Sequence, residues 1–152
     1  MLGKLENTEI EELLTQQIIG RIGCHANGIT YIVPISYSYD GEYIYGRSFD
    51  GLKIEMMRKN PQVCFQVDSM TNMANWKSVI AWGTFKELTE PAERNEAIQK
   101  LFSRKIPGIP SKTMQLSGHW PFASTEQIEG IVFRIRFFKK TGRYEQTVGI
   151  SN

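Results

Sequence analysis

The sequence predicts an α+β fold that is mainly β: a six-stranded antiparallel barrel with a few peripheral helices. Alternating apolar runs are separated by short turns, and few segments have helical spacing. The dipeptides Asn27-Gly28 and Asp40-Gly41 favour the positive φ angles of tight hairpins. With 152 residues, of which 41% are hydrophobic and 22% charged, we expect one domain over 1–152 that buries a substantial core.

The first half of the chain begins with a helix and continues with strands. Thr8-x-x-Glu11 has the pattern of a capping box, and the apolar residues that follow share one helical face: Ile10, Leu13, Leu14 and Ile18. Strands are predicted over 19–26, 29–39 and 42–47. A short helix over 51–60 should end there, because Pro61 disfavours helical angles at the residue before it.

The second of these strands contains a proline. From Ile29 to Tyr39 large apolar residues alternate with small or polar ones, which predicts one buried face. Pro34 lies in the middle of this run and cannot donate a ladder hydrogen bond. The strand is therefore expected at an edge, at a bulge, or where something other than a strand approaches.

The second half supplies three further strands, predicted over 62–68, 76–88 and 130–138, with a loop at 69–75. Pro91 suits the first turn of a helix that runs to about Arg104. Residues 105–127 are rich in proline and glycine and are predicted to be irregular.

Charge, cysteines and motifs exclude several protein classes. A net charge of +2 argues against a dedicated nucleic-acid binder, no apolar run has membrane-spanning length, and the first residues lack a signal-peptide core. Cys24 and Cys64 are far apart and predict reduced thiols in a cytoplasmic protein. The two histidines show no metal-ligand spacing, and no phosphate-loop, dinucleotide or nucleophile-elbow motif is present.

The stretch YGRSFDGLK, residues 45–53, has the composition of an anion site. Arg47 and Ser48 offer donors, Lys53 offers an ammonium group, and Asp50 could cap the following helix, whose first N–H groups would then point at the same space. A solvated connection between strand and helix explains these residues equally well.

A second candidate is the strand containing Trp76 and Trp82, which should share a face with Ser78 and Ile80. A planar aromatic ligand could lie against it and contact the backbone at Ser78 and Val79. Packing in a core or in a subunit interface is the commoner role of such tryptophans.

The order and spacing of these segments resemble the pyridoxamine 5′-phosphate oxidase-like proteins of the FMN-binding split-barrel fold, and more narrowly the nitroimidazole-resistance branch. The resemblance extends over GRIGCHANGITYIVPISYSYDGEYIYGRSFDGLKIEMMRKNPQVCFQVD, NWKSVIAWGTFKEL and VFRIRFFKKTGR. It implies a homodimer that binds FMN between its subunits. In the family's vitamin B6 oxidases the last strand carries an Arg-x-His pair, whereas no histidine follows Lys140 here, which argues against vitamin B6 oxidation.

The resemblance also implies which residues contact FMN. Those from the subunit that holds the phosphate would be Val33, Pro34, Ile35, Ser36, Tyr45, Gly46, Arg47, Ser48 and Lys53, with Arg47 and Lys53 on the phosphate itself. Those from the partner subunit would be Trp76, Ser78 and Val79. His119 and Trp120 are expected on the substrate side of the ring.

The resulting expectation is an FMN-dependent oxidoreductase that acts on a small organic substrate, with no catalytic acid or base identified. One alternative is a non-catalytic flavin or haem-binding protein for storage, sensing or scavenging. A second is a small nucleic-acid-binding barrel, ranked last, which would use the basic residues near the end of the chain: Arg134, Arg136, Lys139, Lys140 and Arg143.

Overall fold

The computed structural model describes residues 1–104 and 129–147, and the structural statements that follow concern these residues. The helices are α1 (Asn7–Gln16), α2 (Leu52–Lys59) and α3 (Pro91–Phe102). The strands are β1 (Leu2–Lys4), β2 (Ile19–Ala26), β3 (Ile29–Ser36), β4 (Ser38–Tyr39), β5 (Tyr43–Ser48), β6 (Gln62–Asn72), β7 (Asn75–Glu87) and β8 (Ile131–Glu145).

The predicted fold class is confirmed, with a correction to the strand count. The strands form one antiparallel sheet in the order β3-β2-β6-β7-β8-β5-β4, and β1 pairs with the far end of β8. The described sheet has eight strands rather than six, because β1 is too short to produce an alternating pattern and the predicted strand over 29–39 is divided at Tyr37 into β3 and β4. The sheet curls far enough to bring β3 and β5 within 8 Å (Cα–Cα) without a ladder between them, which is the split of the barrel.

The two predicted turns are present. Asn27 and Gly28 have φ angles of 53° and 76°, which match the tight hairpin between β2 and β3, and Gly41 has a φ of 98° in the turn between β4 and β5. The predicted capping box of α1 is wrong. The helix begins at Asn7, so Thr8 already lies inside it, and the backbone N–H of Glu6 instead donates to the Glu9 carboxylate at 3.5 Å.

The predicted loop at 69–75 is also wrong. Strands β6 and β7 continue pairing as far as Asn72 and Asn75 and form a long projecting hairpin. Residues 68–72 of β6 are exposed on both faces. Neither face needs apolar residues, so the sequence here lacks the alternation of apolar and polar residues that would predict a strand. For a similar reason β8 continues to Glu145, seven residues beyond its predicted end.

Two groups of buried side chains hold these elements together. The main core lies between the inner face of the sheet and helices α1 and α2, and its largest fully buried members include Tyr37, Phe65 and Phe133. A smaller core lies under α3, where Leu101 and Ala97 pack with Tyr45 of β5. Helix α3 therefore covers the side of β5 that faces away from the main core.

Pro34 lies on an edge strand, as predicted. Within the described residues β3 pairs with β2 alone, where Pro34 is opposite Arg21. The three described helices are too short or too polar to cross a membrane.

Candidate functional site

The opening between β3 and β5 brings together two stretches that are distant in sequence. Residues 33–36 form the end of β3, and residues 45–48 form the end of β5, which pairs with β8 on its other side. Extending the β4–β5 register from Ser38↔Tyr45 by two residues would set Ser36 opposite Arg47, but no ladder forms there. No ladder among the described residues joins residues 33–36 to residues 46–48, and an opening of this kind can admit a partner other than a strand.

Helix α2 starts beside this opening, and within the described residues no side chain caps its N-terminus. Gly51 is the N-cap residue and makes no side-chain hydrogen bond. The predicted cap, Asp50, instead forms an ion pair with Arg58 at 3.3 Å. The first N–H groups of α2 therefore keep the positive end of the helix dipole open to a ligand.

Lys53 lies in the first turn of α2, where two effects oppose its charge. The side chain is half-buried, and this burial lowers the pKa of Lys53 below its usual value. A cation at a helix N-terminus is also repelled by the dipole. The smaller influence of Cys24 raises the pKa of Lys53, and no ion pair to Lys53 is found among the described residues. An anion bound at this point would relieve both penalties.

Arg47, which sequence reasoning paired with Lys53, has different surroundings. It is 7% exposed, its Nε donates to the carbonyl of Glu129, and its guanidinium lies over the Phe49 ring at 5.9 Å. By strand alternation it shares a face of β5 with Tyr45, the side covered by α3. Burial, followed by the nearby charge of Arg94, lowers the pKa of Arg47.

The other predicted residues of β5 are committed to contacts within the chain. The Tyr45 hydroxyl donates to Asp40 Oδ2 at 2.7 Å, and burial followed by this bond raises the pKa of Tyr45 to about 12. The Ser48 hydroxyl donates to the carbonyl of Phe49 at 2.9 Å. A Cβ at Gly46 would lie 2.5 Å from the Phe133 ring. Contact between this stretch and a ligand would therefore fall mainly to the backbone.

The outer face of the sheet is the one directed away from the main core, and on β7 it carries the predicted row of residues. Trp76, Ser78, Ile80 and Trp82 share this face, while Val79 is completely buried in the main core and offers only its backbone. The Trp76 indole donates to Glu145 Oε2 at 3.0 Å. Trp76 and Ser78 also line an open cleft of about 410 Å³ beside Met70 and Met73.

The same outer face is rich in exposed apolar side chains. Ile32 of β3 is 65% exposed and Phe138 of β8 is 66% exposed. Together with Trp82 and Cys64 they line a second, mostly apolar cleft of about 290 Å³. An apolar sheet face of this kind is typical of a surface that another molecule covers.

Sequence reasoning missed a polar cluster on this face. Arg21 of β2, Gln66 and Asp68 of β6 and Ser78 of β7 are connected by hydrogen bonds. The members come from three strands that are distant in sequence, so only the pairing of the strands brings them together. In the sequence, the cluster is visible only as polar residues at alternating positions of predicted strands. Exposed strand residues commonly have this pattern, so it does not indicate a cluster.

Several other expectations can be compared with the structure. Cys24 is a buried free thiol, whereas the neighbouring His25 is exposed on the opposite face of β2. No metal-binding group of side chains occurs in the described part of the chain. His119 and Trp120 lie outside the described residues. Three of the basic residues near the end of the chain form ion pairs with glutamates, namely Arg134, Arg136 and Lys140.

Comparison with known proteins identifies relatives over most of the chain. The sequence model described as pyridoxamine 5′-phosphate oxidase matches residues 6–141. Protein RA0666 of Rhizobium meliloti (strain 1021) is 33% identical over 84 residues, and the matched part spans 55% of this chain and 56% of the length of that protein.

Two solved structures have similar folds. A FAD-binding protein of Mesorhizobium loti is 28% identical with a TM-score of 0.71, covering 96% of this chain and 99% of the other. A candidate 5-nitroimidazole resistance protein of Bacteroides thetaiotaomicron is 17% identical with a TM-score of 0.71, covering 95% and 87%. At that identity the second similarity concerns the fold alone.

Proposed function

This chain belongs to the pyridoxamine 5′-phosphate oxidase family, and from this premise we propose that it binds FMN in the split between β3 and β5 and uses it to oxidise or reduce a small organic molecule. The family membership and the FAD-binding relative from Mesorhizobium support a flavin as ligand. The choice of FMN rests on the family resemblance and on the anion site proposed beside the split, at Lys53 and the first turn of α2.

The observation that carries the proposal is the position of Lys53. A half-buried ammonium in the first turn of a helix, with no side-chain cap at Gly51, is electrostatically unfavourable until an anion binds. A phosphate would receive N–H donors from α2 and the charge of Lys53 together. The residues present therefore fit the phosphate end of a flavin nucleotide.

The remainder of the flavin would lie along the open edges of the split. The backbone of residues 33–36 would face the ring and the ribityl chain, and Pro34 is tolerated in β3 because this is an edge strand. The backbone of residues 45–48 would border the ribityl phosphate. The flavin supplies the redox chemistry when bound, whereas the chain supplies its position, its hydrogen bonds and its exclusion from water.

We further propose that the flavin lies between two copies of the chain. The outer face of the sheet exposes large apolar side chains on β3 and β8, among them Ile32 and Phe138, and a second copy would remove them from water. Trp76, Ser78 and the backbone of Val79 would then reach the ring held by the partner. The ion pairs of Arg134, Arg136 and Lys140 leave the nucleic-acid alternative less supported.

Spectroscopy of the purified protein tests the flavin proposal. Protein freed of any bound ligand is titrated separately with FMN, FAD and riboflavin, and binding is followed by quenching of flavin fluorescence. We expect FMN to bind more tightly than riboflavin because riboflavin lacks the phosphate. Equal affinity for these two ligands would contradict the anion site, and a Soret band in the isolated protein would favour haem. Oxidation of a nicotinamide cofactor with an added acceptor would separate an enzyme from a carrier.

A further inference from the structure

The polar cluster on the outer face forms a directed chain of hydrogen bonds. Arg21 Nη1 donates to Gln66 Oε1 at 3.4 Å. Gln66 Nε2 donates both to Asp68 Oδ2 at 2.9 Å and to Ser78 Oγ at 3.2 Å. Arg21 and Asp68 also form an ion pair at 3.6 Å. The cluster thus links β2, β6 and β7 within a face that is otherwise largely apolar.

The chemistry of its two charged members fixes the orientation of the Gln66 amide. A guanidinium can only donate, so Arg21 requires the amide oxygen on its side. A carboxylate can only accept, so Asp68 requires the amide nitrogen. Rotating the amide by 180° would lose both bonds at once. The nitrogen is therefore directed toward Ser78.

This orientation determines the role of the Ser78 hydroxyl. Its oxygen already accepts a hydrogen bond from Gln66, so its own proton is available to another acceptor. Within the described residues the Ser78 hydroxyl is seen only as an acceptor and donates to no side chain or carbonyl. Because Ser78 lies on the outer face beside Trp76, the proton is available to a molecule that covers this face.

We propose that Arg21, Gln66 and Asp68 position Ser78 as a hydrogen-bond donor to an acceptor atom on the ring of the flavin held by the partner subunit. This inference rests on the proposed function and assigns a task to residues that do not touch the flavin themselves. The polar edge of the ring carries carbonyl oxygens and ring nitrogens, which become more electron-rich on reduction. A fixed donor therefore binds the reduced form more tightly than the oxidised form and raises the reduction potential.

Removing Gln66 should redirect the Ser78 proton. Asp68 lies directly opposite Ser78 in the β6–β7 register, and its carboxylate would accept the proton once the Gln66 amide no longer orients the hydroxyl. Gln66→Leu is therefore expected to act like Ser78→Ala, although the hydroxyl remains present. Ser78→Thr keeps a hydroxyl in place and should preserve most of the effect.

The test measures the reduction potential of bound FMN by equilibrium titration against a reference dye. We expect Ser78→Ala and Gln66→Leu each to lower the preference for the reduced form about tenfold, which corresponds to about 30 mV for a two-electron couple. The double variant should shift the reduction potential little further than either single variant, because both substitutions remove the same donor. Thermal melting of each variant checks that the fold is retained.

Gln62→Leu is the matched control. Gln62 lies on the same face of β6 and donates to Thr84 Oγ1 at 3.4 Å, although Thr84 is directly opposite it in the register whereas Ser78 is diagonal to Gln66. Its removal should leave the potential unchanged. If FMN binds and the potentials of all variants equal that of the wild type, or if Gln62→Leu shifts the potential as much as Gln66→Leu, the positioning role is wrong while the proposed function stands. Failure of the wild-type protein to bind any flavin would overturn both.

Discussion

Replacing Lys53 with methionine should weaken the binding of FMN without lowering the stability of the ligand-free protein. Methionine keeps an unbranched side chain of similar length and removes the charge. In the absence of ligand that charge is opposed by burial, which lowers the pKa of Lys53, and by the dipole of α2. We therefore expect the free energy of unfolding of the ligand-free protein to stay the same or to rise in Lys53→Met.

The affinity for FMN should change in the opposite direction. One charge-assisted contact contributes about 1.5–3 kcal/mol, so the dissociation constant of FMN should rise about tenfold to a hundredfold. Riboflavin binding should change little, because riboflavin carries no phosphate. Since Lys53 remains partly exposed, added salt should reduce the difference between wild type and variant.

Fluorescence-quenching titrations with both ligands, together with denaturant unfolding, measure these quantities. Arg47→Gln is the comparison variant. Because Arg47 is nearly buried and holds the carbonyl of Glu129, its loss should cost about 1–3 kcal/mol of unfolding free energy and weaken FMN and riboflavin alike. If Arg47→Gln weakened the binding of FMN but not that of riboflavin, Arg47 would instead contact the phosphate.

The reasoning about Lys53 has a clear refutation. If Lys53→Met weakens riboflavin as much as FMN, the ammonium serves the ring or the fold rather than an anion. If the variant instead unfolds more easily without ligand, burial and the helix dipole do not oppose the charge as argued.

Three further expectations concern other parts of the molecule. Although burial raises the pKa of Asp40, hydrogen bonds led by that from Lys100 lower it to about 2. Asp40 therefore contributes stability above its unfolded value near 3.8 that is lost as the pH falls toward 2. Because Asp40 is exposed and solvent screens its contacts, the stability difference between wild type and Asp40→Asn should shrink by only about 1 kcal/mol over that range in urea unfolding. Gly46→Ala should destabilise the protein by about 1–3 kcal/mol, since its Cβ would meet the Phe133 ring; an unchanged melting temperature would show that the ring moves aside at no cost. Ile32→Glu should convert the proposed dimer into monomers in sedimentation velocity runs at micromolar concentration, and a persisting dimer would place the interface elsewhere.

The sequence by itself determined the features that depend on local chemistry. Asn27-Gly28 specified a hairpin because two successive positive φ angles suit these residues, and Pro34 marked an edge because it lacks a donor. The end of α2 before Pro61 followed from the restriction on the preceding residue. The stretch 45–53 was recognised as a candidate anion site from composition alone.

The tertiary structure decided the features that depend on long-range pairing. The lengths of β6 and β8 could not be predicted because exposed strand ends lose the alternation that a buried face imposes. Whether Arg47 and Lys53 share surroundings depends on which side of β5 is covered by α3, a contact between segments about fifty residues apart. The chain from Arg21 through Gln66 to Ser78 exists because β2, β6 and β7 pair in one register, and a shift of one residue would direct its members to opposite faces.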